Sequence, residues 1–411
     1  LVKLNQRNPA VKDYICDVIR FWVSEFAIDG IRLDAADVLD FDFMKALRQT
    51  ANEVKPEFWL MGEVIHGDYT RWVNEGTLHS VTNYHLHKAL YSGHNDHNYF
   101  EIAHTVRRLY EMGGNRPDGL KLYNFVDNHD VERIYTKLQN KAQFFPVHVL
   151  LYTLPGIPSI YYGSEFGIEG KKERYSDDSL RPALDLSDYA QAITENPCTR
   201  LITALGQIRQ QTKALSYGDY KELLLTNRQY AFSRNLDGTS VVVTVNNDEN
   251  SAQIHVAAGN GGTYVGALSG VKTSVENGQL HVTLQPNSGE IWIPEESGAA
   301  KQPEHTPVES VEFKVVEAPK PVAEPERAPV KEQTAVPDES KQKTTAEQPV
   351  QAVQQPKVPT NKSYEEMTIE ELQQAILDKM AKNGPITDQM RRDVMENVYH
   401  NSLINWVKSF R

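Results

Sequence analysis

Residues 9–36 read PAVKDYICDVIRFWVSEFAIDGIRLDAA and hold a helical segment and a short apolar run in direct succession. Val11, Ile15, Ile19, Trp22 and Phe26 recur at spacings of three and four, which predicts an amphipathic helix over Pro9 to Phe26. Gly30 to Ala36 has the length and apolarity of a buried strand. The succession repeats downstream, with further strands expected at Phe58 to Val64, Leu78 to Tyr84, Leu122 to Asp127 and Ile157 to Gly163, and helical segments between them. Alternation of this kind to about residue 215 predicts an α/β fold of repeated βα units around a parallel sheet. Five strands are too few for a closed eight-stranded barrel, and an open sheet this apolar would leave an unpaired edge. A preceding part is therefore expected to be missing, in keeping with a chain that begins on Leu1.

Between Tyr217 and Ile293 the texture changes to short β-type runs, Lys221 to Leu225, Ser240 to Val245, Ala252 to Val256 and Leu280 to Leu284, separated by Asn, Gly and Asp turns. That pattern predicts an antiparallel β-sandwich. Residues 299–362 hold ten of the 21 prolines and one aromatic, Phe313, so a disordered, semi-extended linker is expected there. Beyond it Thr368 and Glu371 form a capping box ahead of Leu372, Ala375, Ile376 and Met380; Asn383-Gly384-Pro385 ends that helix; Thr387 can cap a second one carrying Met390, Val394, Val398 and Trp406. The expected organisation is a catalytic α/β part at 1–216, a β-sandwich at 217–295, a linker at 296–362 and a helical hairpin at 363–411. The hairpin packs on itself or offers a surface for a protein partner or self-association.

The 411 residues carry 55 Asp plus Glu against 43 Lys plus Arg, a formal charge of −12, which works against nucleic acid or an anionic membrane as the main partner. Two cysteines, Cys16 and Cys198, build neither a disulfide scaffold nor a thiolate zinc site and fit a reducing, cytoplasmic compartment. No apolar run approaches the roughly 20 residues that cross a bilayer.

The chemistry concentrates at three strand ends. Arg32 and Asp34 are two apart on one strand and project to one side. A guanidinium there favours an ionised carboxylate, as a nucleophile requires, although a structural salt bridge would look the same. Glu63 ends the next strand behind Gly62, whose missing side chain lets a ligand or backbone approach; a carboxyl among apolar residues holds a proton for a leaving oxygen. In Phe125-Val126-Asp127-Asn128-His129-Asp130 an apolar strand runs into four polar residues, at the rim of a barrel or as helix caps at Asn128 or Asp130. Two carboxyls on adjacent strand ends about 5 Å apart would act as nucleophile and acid/base with retention of configuration. Asp130 would be the supporting acid and His129 a donor to sugar hydroxyls.

These residues resemble the α-amylase superfamily of glycoside hydrolases, family 13. Gly30 to Asp34 resembles its nucleophile strand, Gly62-Glu63 its acid/base strand, Phe125 to Asp130 its third-acid strand, and GIPSIYYGSEFG at 156–167 its closing strand. The resemblance covers residues 1–295 and implies strands 4 to 8 of a (β/α)8 TIM barrel followed by the sandwich. It implies Asp34 as nucleophile, Glu63 as acid/base and Asp130 as transition-state stabiliser, with Arg32 and His129 supporting them; Asn128 is a further candidate to bind substrate. Leu1-Val2-Lys3-Leu4-Asn5 is similar to a short motif of the neopullulanase and cyclomaltodextrinase group, with Val2 in place of Pro. The implied function is retaining hydrolysis of α-1,4-linked glucans or maltodextrins. Transglycosylation, or a non-catalytic amylase-like scaffold, are the alternatives. The family's third-strand block is absent, so little or no activity is expected of this fragment alone; Ala35-Ala36-Asp37-Val38 lacks the Lys-His pair of many α-amylases, which leaves the leaving-group-side specificity open. No cofactor is required; the family permits Ca2+.

Trp59, Trp72, Tyr84, Tyr123, Tyr161 and Tyr162 are candidates to stack on sugars, Tyr84 and Tyr123 foremost, with core packing as the alternative for each. His85, His87, His94, Asp96 and His97 crowd one segment. Polar packing or sugar contact is expected of them, and no metal site is assigned.

Overall fold

The computed structural model describes residues 4–112, 120–259, 262–295, 363–364 and 367–383, together with Arg391, Val394, Leu403 and Val407. Asn8 starts the first helix: its side chain accepts the N–H of Ala10, and Pro9 occupies the first turn, where its missing donor costs nothing. Helix α1 (Pro9–Phe26) ends at Ala27 in the left-handed conformation, as its length in the sequence predicts. Its apolar stripe is only partly used. Ile19 is buried, whereas Trp22 is 43% and Phe26 64% exposed.

The five expected strands are all present and each is shorter than its apolar run: β1 (Gly30–Leu33), β2 (Trp59–Gly62), β3 (Ser80–Val81), β4 (Tyr123–Asn124) and β5 (Ile157–Pro158). β1, β2 and β3 pair in parallel, as do β4 and β5. A parallel bridge between Thr82 and Tyr123 joins the two groups, so the strands stand side by side in chain order. Alternation fixes their faces. Leu60, Val64 and Val81 pack with Met44, Leu47 and Ala51 of α2 (Phe41–Val54) and Ile19 of α1, leaving Arg32, Asp34 and Glu63 for the other side. Helices α3 (Tyr84–Asn95), α4 (Tyr99–Met112), α5 (Ile134–Lys137), α6 (Phe144–Thr153), α7 (Ala192–Glu195), α8 (Pro197–Gln211) and α9 (Lys213–Tyr217) complete this part.

The antiparallel part is one eight-stranded sheet in the order β6-β7-β8-β13-β10-β11-β12-β9. Its strands are β6 (Asp219–Leu225), β7 (Gln229–Leu236), β8 (Thr239–Asn246), β9 (Ala252–Ala257), β10 (Thr263–Gly266), β11 (Lys272–Glu276), β12 (Gln279–Leu284) and β13 (Ser288–Pro294). Around β7, β8 and β13 both faces are apolar, whereas β9, β11 and β12 turn one face to solvent. Tyr230, Phe232, Val241, Val243, Val245, Ile291 and Ile293 join a core with α3, α4, α6 and α8, while Ala231, Val242, Ile254, Val256, Leu280, Val282 and Trp292 form a second core. Sequence periodicity locates only four of these strands. β13 is buried at all seven positions and β7 at five in succession, so neither shows the alternation that marks a half-buried strand.

The chain divides into two compact units, residues 1–323 and 324–411. In the second, α10 (Ile369–Asn383) begins at the expected capping box: Thr368 N–H donates to Glu371 Oε2 at 2.8 Å and Glu371 N–H to Thr368 Oγ1 at 3.3 Å. Leu372, Ile376 and Leu377 bury themselves against Met367, Val394, Leu403 and Val407. The expected linker at 296–362, and most of the second helix from Thr387, lie outside the described residues, as does Val2. Among the described residues no helix is long and apolar enough to cross a membrane.

Candidate functional site

The end of β1 is stitched to the end of β2 through Glu63. Its N–H donates to Leu33 O at 2.9 Å and its carbonyl accepts from Ala36 at 2.8 Å. The carboxylate oxygen Oε2 accepts the N–H of Ala35 at 3.1 Å, where Ala35 holds a left-handed backbone (φ 42°). Arg32 extends from β1 between two carboxylates. Its Nη1 lies 2.7 Å from Asp34 Oδ1 and its Nη2 3.1 Å from Glu63 Oε2. Asp34 is 81% exposed and Glu63 only 12%. Glu63 thus sits beside a guanidinium and a backbone N–H, not among the apolar side chains that its flanking sequence suggests. Gly62 also has a different reason: a Cβ there would fall 2.5 Å from Leu78 Cδ1 and 2.7 Å from Ala36 Cβ, so it clears the strand–core packing and no ligand path.

Tyr84 opens α3, held by the Asn83 side chain that caps the helix at Leu86 N–H. Its hydroxyl is 3.5 Å from Glu63 Oε1 and accepts from Asn128 Nδ2 at 3.1 Å. Burial pushes the phenol above its ordinary pKa and the nearby Glu63 and Asp130 carboxylates add to the shift, with Asn128 opposing, so the hydroxyl keeps its proton. Tyr84 therefore meets the site through its hydroxyl, while its ring edge packs on Phe125 and His87.

Asn128 also accepts the N–H groups of Asp130 and Val131, at 2.8 and 3.1 Å, so the turn-capping alternative and the site placement hold together. Asp130 is gripped from two sides, with Oδ2 3.1 Å from His129 Nε2 and Oδ1 3.0 Å from Arg181 Nη2. Arg181 Nε donates to His129 O at 3.0 Å and Lys172 Nζ to Asp130 O at 2.8 Å. Beneath this turn Asp127 is fully buried and accepts from Ile134 N–H and Ser164 Oγ. Burial raises its pKa and those bonds, with Arg133, oppose the rise. Arg133 ties the same turn to the strand that follows, donating to Tyr162 O, Ser164 Oγ and Leu180 O.

A chain of contacts therefore runs Asp34, Arg32, Glu63, Tyr84, Asn128, and through the turn to His129 and Asp130. Tyr123 is placed apart: at the start of β4 it meets Trp59, Phe125 and the Ser159 hydroxyl. Trp72 is buried in the apolar core between strands and helices. His87 and His94 are buried and bonded to the carbonyls of Val126 and Leu90. Among the described residues no three His, Cys, Asp or Glu side chains form a metal-holding group. Arg181 and Lys172 were not expected from the sequence, because exposed cations in a loop some 40–50 residues downstream carry no local pattern that points to Asp130.

Three carboxyls from three strand ends, two of them sharing one guanidinium, can supply an anionic nucleophile, a proton donor and a third polar anchor on one face. Residues 1–203 match the family model for the α-amylase catalytic domain. The chain is 30% identical over 295 residues to a cyclomaltodextrinase of Thermoanaerobacter pseudethanolicus, covering 70% of this chain and 49% of that protein. It is 29% identical over 299 residues to neopullulanase 2 of Thermoactinomyces vulgaris, with the same coverage. Among solved structures, the cyclomaltodextrin glucanotransferase CldA superposes with a TM-score of 0.63 at 27% identity, over 71% of this chain and 61% of that one. The chain spans about half the length of these curated relatives.

Proposed function

We propose, from the premise that this chain belongs to the α-amylase family of glycoside hydrolases, that its three strand-end acids serve retaining cleavage of α-1,4-glucosidic bonds in maltodextrins and related α-glucans. Asp34 attacks the anomeric carbon while Glu63 gives its proton to the departing oxygen, leaving a glycosyl ester on Asp34. Glu63, now a carboxylate, takes a proton from water, whose oxygen displaces Asp34 and restores both groups. Asp130 and His129 hold sugar hydroxyls as positive charge develops on the ring. Asn128 and Tyr84 position Glu63 and the turn. Carboxyl groups and water handle every bond and proton, so no cofactor is required.

The observation that carries this reading is the shared guanidinium: Arg32 spans Asp34 and Glu63, which keeps the two within reach of one sugar ring, where the carboxyls of retaining enzymes stand roughly 5 Å apart. Asp34 is wide open to water, so residues 1–411 by themselves are expected to turn over slowly or not at all. A sugar hydroxyl in place of water turns the same residues to transfer, and the likeness to a glucanotransferase keeps that outcome in view. In the protein that carries this sequence, Asp34→Asn and Glu63→Gln should each abolish hydrolysis of maltotriose with the fold intact. Retained hydrolysis in either rejects the assignment, and longer oligosaccharides among wild-type products identify transfer.

A further inference from the structure

The outer face of the antiparallel sheet carries a pair of imidazoles that the proposed chemistry does not use. His255 on β9 and His281 on β12 stand directly opposite each other in the antiparallel register. Both are exposed, and their ring centroids are 4.4 Å apart with the planes at 57°. The pair is built on a firm base: six consecutive residues pair between these strands, and Ile254, Val256, Leu280 and Val282 alternate with the histidines into the core beneath. The neighbouring pairs between these two strands, Gln253 with Thr283 and Ala257 with Gln279, carry no charge, and on the other side of β12 Glu276 of β11 pairs with Gln279.

The separation has a coordination meaning. A metal–imidazole bond of about 2.0–2.1 Å, with about 1.2 Å more to the ring centre, puts two centroids roughly 4.5 Å apart when the ligands subtend a right angle and roughly 5.2 Å at a tetrahedral angle. The observed 4.4 Å fits the right angle. Imidazole nitrogen suits Cu2+ and Ni2+, whose tetragonal geometries use such angles, and Cu2+ binds nitrogen sites most tightly among the divalent first-row ions. We propose that His255 and His281 form a two-ligand chelating site for a divalent transition ion, Cu2+ before Ni2+, with water filling the remaining positions. The strands hold the second ring in place once the first has bound, so its association is intramolecular and adds to affinity without further ordering of the chain.

The test is titration of the full chain with CuCl2 and with NiCl2, followed calorimetrically, for the wild type, His255→Gln, His281→Gln and the double variant. The chain has 13 histidines, so weak single-imidazole binding forms the background. One site stronger than that background is expected, with Cu2+ tighter than Ni2+. Each single substitution should weaken it by about tenfold or more, and the double variant should lose no more than either single one, because a chelate fails with its first lost ligand. Unchanged far-ultraviolet circular dichroism shows that these exposed positions leave the sheet intact. A wild type without a site above background, or single variants within about twofold of it, would overturn the proposal.

Discussion

Arg32 Nη2 stands 3.1 Å from Glu63 Oε2, and the other terminal nitrogen of that guanidinium holds Asp34. Removing the guanidinium leaves two carboxylates facing one another across a partly desolvated gap, with Glu63 only 12% exposed. Arg32→Met should therefore lower unfolding free energy by about 1–2 kcal/mol, between the values for exposed and buried pairs. Arg32→Lys should recover only part of this, since an ammonium cannot bond both acids through a planar fork. Urea denaturation of the three proteins at neutral pH measures both effects.

Arg181 makes an exposed pair with Asp130, so its contribution to stability is small even though its placement is specific. Arg181→Gln should change unfolding free energy by less than about 1 kcal/mol. In the active protein it should lower kcat on maltotriose by about tenfold to a hundredfold, since a misdirected Asp130 no longer meets the ring. A large loss of stability with full turnover would assign Arg181 to the scaffold instead.

Three buried histidines make folding sensitive to acid. Burial lowers His87 to about 4, His94 to about 3 and His148 to about 4, from an ordinary value of 6.5. The unfolded chain takes up these protons first as pH falls, so the stability they allow is complete above pH 6.5 and drains away from 6.5 down to about 4 for His87 and His148 and to about 3 for His94. Asp127 and Glu290, raised by burial, work in the opposite sense at the carboxylate end of the range. At about 1.36 kcal/mol for each pH unit, His87 and His148 can each account for up to ~3 kcal/mol and His94 for up to ~5 kcal/mol. Denaturant midpoints should be level at neutral pH and fall steeply below 6.5, and less steeply in His148→Asn.

Gly156 ends the turn before β5 with φ 123°, and a Cβ there would lie 2.4 Å from Asn124 Nδ2 and 2.8 Å from Leu122 O. Gly156→Ala should cost more than about 2 kcal/mol, combining backbone strain with a clash against the Asn124 amide, whose Nδ2 donates to Pro155 O. Gly238→Ala, equally left-handed at φ 80° but with open space around it, should cost less. Thermal unfolding of both variants separates the clash from the strain.

The parallel strands and α1 were legible because each is one apolar run or stripe ended by polar or glycine punctuation. Their lengths were not. β4 covers only Tyr123 and Asn124, because the Asn124 side chain is engaged by Asn83 and Pro155 and the chain then turns to present Asn128. β7 and β13 escaped because burial on both faces erases the period of two, β10 because it is only four residues long, and β11 because its alternation runs through Lys272, Thr273, Ser274, Val275 and Glu276, with Val275 its single aliphatic residue. At the site, Asp34, Glu63 and Asp130 were visible as polar residues ending apolar strands, and Arg32 as their neighbour. The hydroxyl contact of Tyr84 and the grip of Arg181 on Asp130 depend on tertiary closure, which no local pattern records.

In the proposed double displacement Asp34 attacks the anomeric carbon and carries the sugar as an ester. This step is tested most directly by incubating the protein that carries this sequence with a fluorinated α-maltosyl donor that forms its glycosyl ester quickly and hydrolyses it slowly, then mapping the adduct by peptide mass spectrometry. One glycosyl unit on the peptide containing Asp34, absent in Asp34→Asn, is the predicted result. An adduct on Glu63 or Asp130, or none at all while maltotriose is hydrolysed, contradicts it.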